Sequence, residues 1–169
     1  MAMIKRLTLA VSLLLACAAG AETPMRMTAK PEALIVFSRD LRMGARIVNE
    51  AGTGVIASLS KPALIQLEAG FWTDKRLKTA SGTMVRLRCT ARFVMADGSR
   101  SKVVLNKICH KGDLAKTADA WTLMPLNFRF RPVASDPAGV MGVELTVTDE
   151  ISGKTGVMLP TFDWQGGHE

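Results

Sequence analysis

The sequence predicts an all-β fold, an antiparallel β-sandwich carrying one intradomain disulfide, on three observations. Short apolar segments with period-two alternation recur along the chain between turns rich in Gly, Pro and Asp. Only residues 111–121 could hold a helix of any length, and that stretch is short and polar. Two cysteines, Cys89 and Cys109, sit in neighbouring strand-like segments joined by a turn. An immunoglobulin-like sandwich is the first expectation and a small barrel the second. Such architectures host many unrelated activities, so function has to be argued from sites.

The chain opens "MAMIKRLTLAVSLLLACAAGAE". Lys5 and Arg6 precede an apolar run over residues 7–16, and small residues end in Ala19-Gly20-Ala21. This is the layout of a secretory signal peptide, so residues 1–21 are expected to be cleaved. The run is shorter than the roughly 20 residues that span a bilayer, and it lacks the polar face of an amphipathic helix. A competing expectation rests on Leu14-Leu15-Ala16-Cys17, which resembles the lipobox of bacterial lipoproteins. Lipidation of Cys17 would make this an outer-membrane lipoprotein, the one route by which membrane attachment is expected. The expected location is otherwise periplasmic or secreted, with a Gram-negative bacterium favoured as the source.

Residues 22–32 read as a flexible, proline-punctuated lead-in, and 33–164 as a single sandwich domain. Its first strand is "ALIVF", residues 33–37. Residues 45–48 and 55–59 flank the glycine-rich turn "NEAGTG", and 63–67 follow Pro62. Over residues 85–95 every odd position is apolar, from Val85 through Cys89 to Met95, which makes a half-buried strand. Ala96-Asp97-Gly98-Ser99 is a turn, and residues 101–109 resume as a β-branched run. Leu126, Phe128 and Phe130 alternate with Asn127, Arg129 and Arg131, and Val143, Leu145 and Val147 with Glu144, Thr146 and Thr148. A turn over 151–156 leads to a strand at 157–160, then "TFDWQGGHE", of which 165–169 is expected to be a mobile tail.

With Cys17 removed, Cys89 and Cys109 form an even pair in an exported chain, the setting in which disulfides persist. Neither a zinc-type ligand cluster nor a C-x-x-C redox motif accompanies them. Register decides the geometry of the bridge. A two-residue Asp97-Gly98 turn would set Cys89 against Asn106 and send Cys109 to the other face. A loop that puts Asp97 opposite Ser101 sets Cys89 directly across from Cys109, Phe93 by Leu105 and Met95 by Val103. The longer loop is therefore expected. It places His110 beside Arg88 on the outer face and turns Lys107 inward unless a β-bulge intervenes.

The residues able to carry chemistry are few and scattered. His110 adjoins a disulfide cysteine and His168 is the penultimate residue, so no base sits near a nucleophile and no G-x-S-x-G elbow occurs. Asp149-Glu150 reads as a turn pair rather than catalytic carboxylates. "SGKTG", residues 152–156, lacks the leading glycine of a phosphate loop, because Thr148 occupies that place. Met25-Arg26-Met27 is an M-x-M, but the other methionines are dispersed and suit core filling better than copper ligation. No cofactor and no metal are expected, and no enzymatic activity.

The arginines are more suggestive. Without Lys5 and Arg6 the 22 bases become 20 against 15 acids, so net charge falls from +7 to +5. Arg86, Arg88 and Arg92 share the outer face of one strand with Lys102 further along, and Arg129 and Arg131 form a second same-face pair. Nucleic acid is not an expected partner, since aromatic residues are 5% of the chain and Tyr is absent. The leading expectation is an envelope accessory or assembly factor that binds another protein. The alternatives are a module binding an anionic glycan or lipid through the five arginines, and an enzyme without a recognisable motif.

Overall fold

Alternation of apolar and polar residues builds strands, and their apolar faces must be buried against one another. The structure, a computed structural model, describes residues 26–27, 33–38, 41–73, 84–114 and 121–167. The signal segment, Cys17, Met25 and His168 lie outside the described residues, as do residues 115–120 of the expected short helix. In chain order the strands are β1 (Arg26–Met27), β2 (Ala33–Ser38), β3 (Leu41–Asn49), β4 (Ser58–Leu59), β5 (Ile65–Thr73) and β6 (Met84–Val94). They continue with β7 (Leu105–Asp113), β8 (Trp121–Phe130), β9 (Gly139–Asp149), β10 (Thr155–Met158) and β11 (Thr161–Trp164). No helix occurs among the described residues.

One sheet has the order β1-β8-β5-β3-β2 and the other β4-β11-β9-β6-β7, with β10 also pairing β9. All the pairings are antiparallel except that of β4 with β11. The inner faces share one core. Met43, Ile47, Leu67 and Phe71 of the first sheet meet Leu87, Val143, Leu145 and Val147 of the second, all buried. Burial of each large apolar side chain favours folding by about 1.5–3 kcal/mol, which makes this shared layer the main source of stability. Trp164 is fully buried and donates its indole N–H to the Asp136 carbonyl at 3.1 Å.

Several strands run longer than their alternation suggests, for local reasons. β3 begins at Leu41, and its outward-facing Arg46 and Val48 are buried as well as its inner residues. Burial on both faces erases the period-two signal. Arg46 is held by Glu68, its cross-strand partner on β5, at 2.7 and 2.8 Å. That pair keeps β5 extended through Glu68-Ala69-Gly70, residue types that strands otherwise disfavour. In β8 the register against β5 shifts between Leu67–Phe128 and Ala69–Met124, so residues 125–127 bulge opposite Glu68. The shift accommodates Pro125, which has no N–H to give a ladder, and Asn127, which has φ of 50°.

The disulfide hairpin departs from its expected register. The bridge itself is present, with Cys89 and Cys109 both buried and their Cα atoms 5.7 Å apart. The loop, however, is Ala96-Asp97-Gly98: Met95 N–H donates to Ser99 O, and Gly98 N–H to Met95 O, each at 2.9 Å. Gly98 takes φ of +80°, which closes this tight loop and suits glycine. Beyond it Val94 bridges Arg100, yet Ala91 pairs with Leu105, so the returning strand absorbs two extra residues around Lys102-Val103. Cys89 therefore faces Lys107, Leu105 faces Ala91 rather than Phe93, and Met95 faces Ser99 rather than Val103.

A further irregularity falls at Cys109 itself. Arg88 pairs with Ile108 but Leu87 with His110, leaving Cys109 as the extra residue of a bulge. The bulge turns His110 toward the interior, against Phe71 at 5.5 Å, and away from the expected place beside Arg88. Lys107 does point inward, at the sheet edge, where its ammonium donates to the Pro125 carbonyl of the facing sheet at 2.7 Å. An inward lysine is tolerated because the carbonyl freed by the β8 bulge receives it.

Candidate functional site

The outer face of the β9–β6–β7 sheet carries the first set of arginines. Alternation along β6 directs Arg86, Arg88 and Arg92 outward while Val85, Leu87, Cys89 and Ala91 fill the core. The neighbouring strand β9 and its turn supply carboxylates to the same face. Glu150 takes Arg86 at 2.8 Å and also Arg88, which in addition donates to Asn106 Oδ1 at 2.9 Å. Glu144 lies directly across from Arg92 and takes it at 3.0 Å, with Arg100 from just beyond the hairpin loop at 2.9 Å. Four arginines and two glutamates leave the cluster at +2, well below what the arginines imply alone.

The second set stands elsewhere. Arg129 is exposed on the outer face of the other sheet, and Arg131 is exposed just past the end of β8. Arg129 thus lies on the other sheet from Arg86, Arg88 and Arg92, Arg131 stands at its end, and the five do not converge. Glu144 and Glu150 decide the electrostatics, whereas the sequence offers Glu150 only as a turn residue and assigns neither to the arginines. Glu144 was visible as an outward residue in an alternating strand, but nothing local says that β9 pairs with β6.

The turn at residues 149–153 fixes one of these carboxylates. Asp149 is 3% exposed, and its side chain accepts from Arg86 N, Ile151 N, Ser152 N and Ser152 Oγ at 2.6–3.3 Å. Burial alone would push its carboxyl up, but these hydrogen bonds outweigh it and hold the group below the usual carboxylate range. Asp149 is a structural anchor that sets Glu150 beside Arg86 and Arg88. His110 is pushed below the usual histidine range by burial, partly offset by a hydrogen bond with the Asp113 backbone. Its Nε2 is buried and meets no hydrogen-bond partner among the described residues.

Next to the ion pairs the same sheet presents exposed apolar side chains. Val140 is 61% exposed, Val157 50% and Leu159 43%. Val157 pairs across from Thr146 and Val140 across from Asp163, both on the outward register. Leu159 lies over Gly142, its Cδ1 only 3.1 Å from where a Cβ there would stand. The three are spaced along β9, at the levels of Val140, Gly142 and Thr146, with Glu144 and its arginines on one side. On the other, Ala57, Val140, Thr161 and Asp163 line a shallow open groove of about 410 Å³. Among the described residues, no group of three or more His, Cys, Asp or Glu side chains comes together to hold a metal ion.

No protein-family model matches this chain, and no curated protein is found to be similar to it.

Proposed function

We propose that this chain is an exported, non-enzymatic domain of immunoglobulin-like topology that acts by binding another envelope protein. The strand order supports the topology: β3-β5-β8 against β11-β9-β6-β7 follows the A-B-E and G-F-C-C′ order of such sandwiches. The disulfide here joins neighbouring strands of one sheet rather than bridging the two sheets. Export is supported by the signal-like N-terminus and, weakly, by the disulfide itself.

The observation that carries the binding role is the set of Val140, Val157 and Leu159. Three apolar side chains so exposed on one sheet face, beside paired charges, have the composition of a protein interface: an apolar centre with a polar rim. The occupant is an apolar patch of another exported protein, with its own charges set against Glu144, Arg92 and Arg100. A glycan or anionic lipid is a poorer fit, because Glu144 and Glu150 already pair with Arg86, Arg88 and Arg92, and Arg129 and Arg131 stand apart from them.

The test is in-cell crosslinking of the tagged full-length chain, compared with a Val140→Glu/Leu159→Glu variant, followed by mass spectrometry. One dominant partner lost in the variant supports the reading. A partner retained in the variant overturns the assigned face. Crosslinks only to a second copy of the chain, or salt-sensitive capture of glycan or lipid lost on neutralising Arg86, Arg88 and Arg92, overturn the reading itself.

A further inference from the structure

At the end of the molecule bearing the 96–98 loop the two sheets do not close completely. A cavity of about 260 Å³ opens between them, lined by Phe93, Met95, Phe130, Met141 and Phe162, with Arg131 and Asp136 also on its wall. Three aromatic rings from three strands meet there, Phe93 to Phe130 at 5.1 Å and Phe130 to Phe162 at 6.2 Å between centroids. An apolar cavity of about 150 Å³ already suffices for a benzene ring. This one has room for a ring with a short chain, or for a short alkyl tail.

The wall that closes it is preformed. Residues 131–138 connect β8 to β9, and the Trp164 indole clamps them through Asp136 O. Gly167 approaches so closely that a Cβ there would fall 2.7 Å from Ala134, and a Cβ at Gly139 would fall 2.9 Å from Ala96. The two polar side chains on the wall have different employment. Asp136 is engaged locally: its carboxylate accepts from Val133 N at 2.9 Å, and its own N–H returns to Val133 O at 2.9 Å. Arg131 is exposed, and no carboxylate among the described residues pairs with it, in contrast to Arg86, Arg88, Arg92 and Arg100. A guanidinium bordering an aromatic cavity matches a carboxylate on an apolar tail. The neighbouring Asp136 charge disfavours anything more negative than a monoanion.

From this geometry we propose that the cavity is a binding site for a small monocarboxylate with an aryl or short alkyl tail, the tail among Phe93, Phe130 and Phe162 and the carboxylate on Arg131. This site is separate from the docking face above and stands or falls independently of it.

The test is titration of the isotope-labelled full chain with 3-phenylpropionate and hexanoate, followed by backbone NMR. Hexanol and hexylamine serve as tail-matched neutral and cationic controls. Saturable shifts confined to Phe93, Met95, Phe130 and Phe162, at least about tenfold tighter for the acids than for the controls, are expected. Arg131→Gln should remove that preference while leaving hexanol binding unchanged, and Met95→Trp, which fills the cavity, should abolish all of it. Equal binding of hexylamine, an unchanged preference in Arg131→Gln, or no saturable shift with either acid overturns the proposal.

Discussion

His110 illustrates how one residue's position rewrites its chemistry. The bulge at Cys109 puts the imidazole against Phe71 with a buried Nε2, and burial lowers its pKa. The folded state therefore resists protonation that the unfolded chain accepts. The neutral form's contribution is intact above the unfolded value, near 6.5. It is lost as pH falls from there toward the lowered folded value. Urea denaturation should show stability declining from about pH 7 to pH 5, and the decline should shrink in His110→Phe. Asp149 has the opposite charge type but the same sign of dependence. Its lowered carboxyl stabilises the fold above the ordinary carboxylate range and ceases to do so in stronger acid, so the two groups act in separate pH windows. Alternation counted through Cys109 without interruption makes His110 an outward neighbour of Arg88. A one-residue bulge is invisible to such counting and reverses every facing beyond it.

The β6–β7 hairpin shows what elements owe to their cross-links. Its register slips by two residues near Lys102-Val103 and by one at Cys109, so the ladder alone specifies pairing poorly. The disulfide spans a sequence separation of 20 and closes a loop whose cross-linking is worth about 3 kcal/mol by chain entropy. Reduction under denaturing conditions, or a Cys89→Ala/Cys109→Ala variant, should lower unfolding free energy by about that amount. The buried bridge should also resist reductant in the native state, and both effects are measurable by denaturation with thiol quantification. The cysteine pair, the strand containing Cys89 and the turn residues were legible because each is a local pattern. The β-branched run starts the returning strand too early, at residue 101, because Val103 and Val104 are exposed and lie outside β7.

Charge is a property of the whole molecule, and here assembly cancels much of what composition offers. Glu144 and Glu150 reach the β6 arginines only because β9 lies beside β6. Exposed pairs of this kind contribute little stability, about 0–1 kcal/mol each, but they set the potential of the face. Replacing both glutamates by Gln raises the cluster from +2 to +4. The variant should bind vesicles containing anionic lipid more tightly than the native chain at low salt, an increase that 0.5 M salt erases. No gain in vesicle binding would mean that the glutamates do not mask the arginines.

The sequence by itself determined the all-β class, the disulfide, the strand carrying Cys89, and the inward and outward sets of its central strands. Each follows from a two-residue period, a turn signal or a cysteine pair, all local in the chain. Only the tertiary structure decided which strands are neighbours, where the register breaks, and that the arginines face carboxylates on one side and an aromatic cavity at one end. Those outcomes depend on pairings between residues dozens of positions apart. Their energies arise from packing two sheets together, and no local pattern records that.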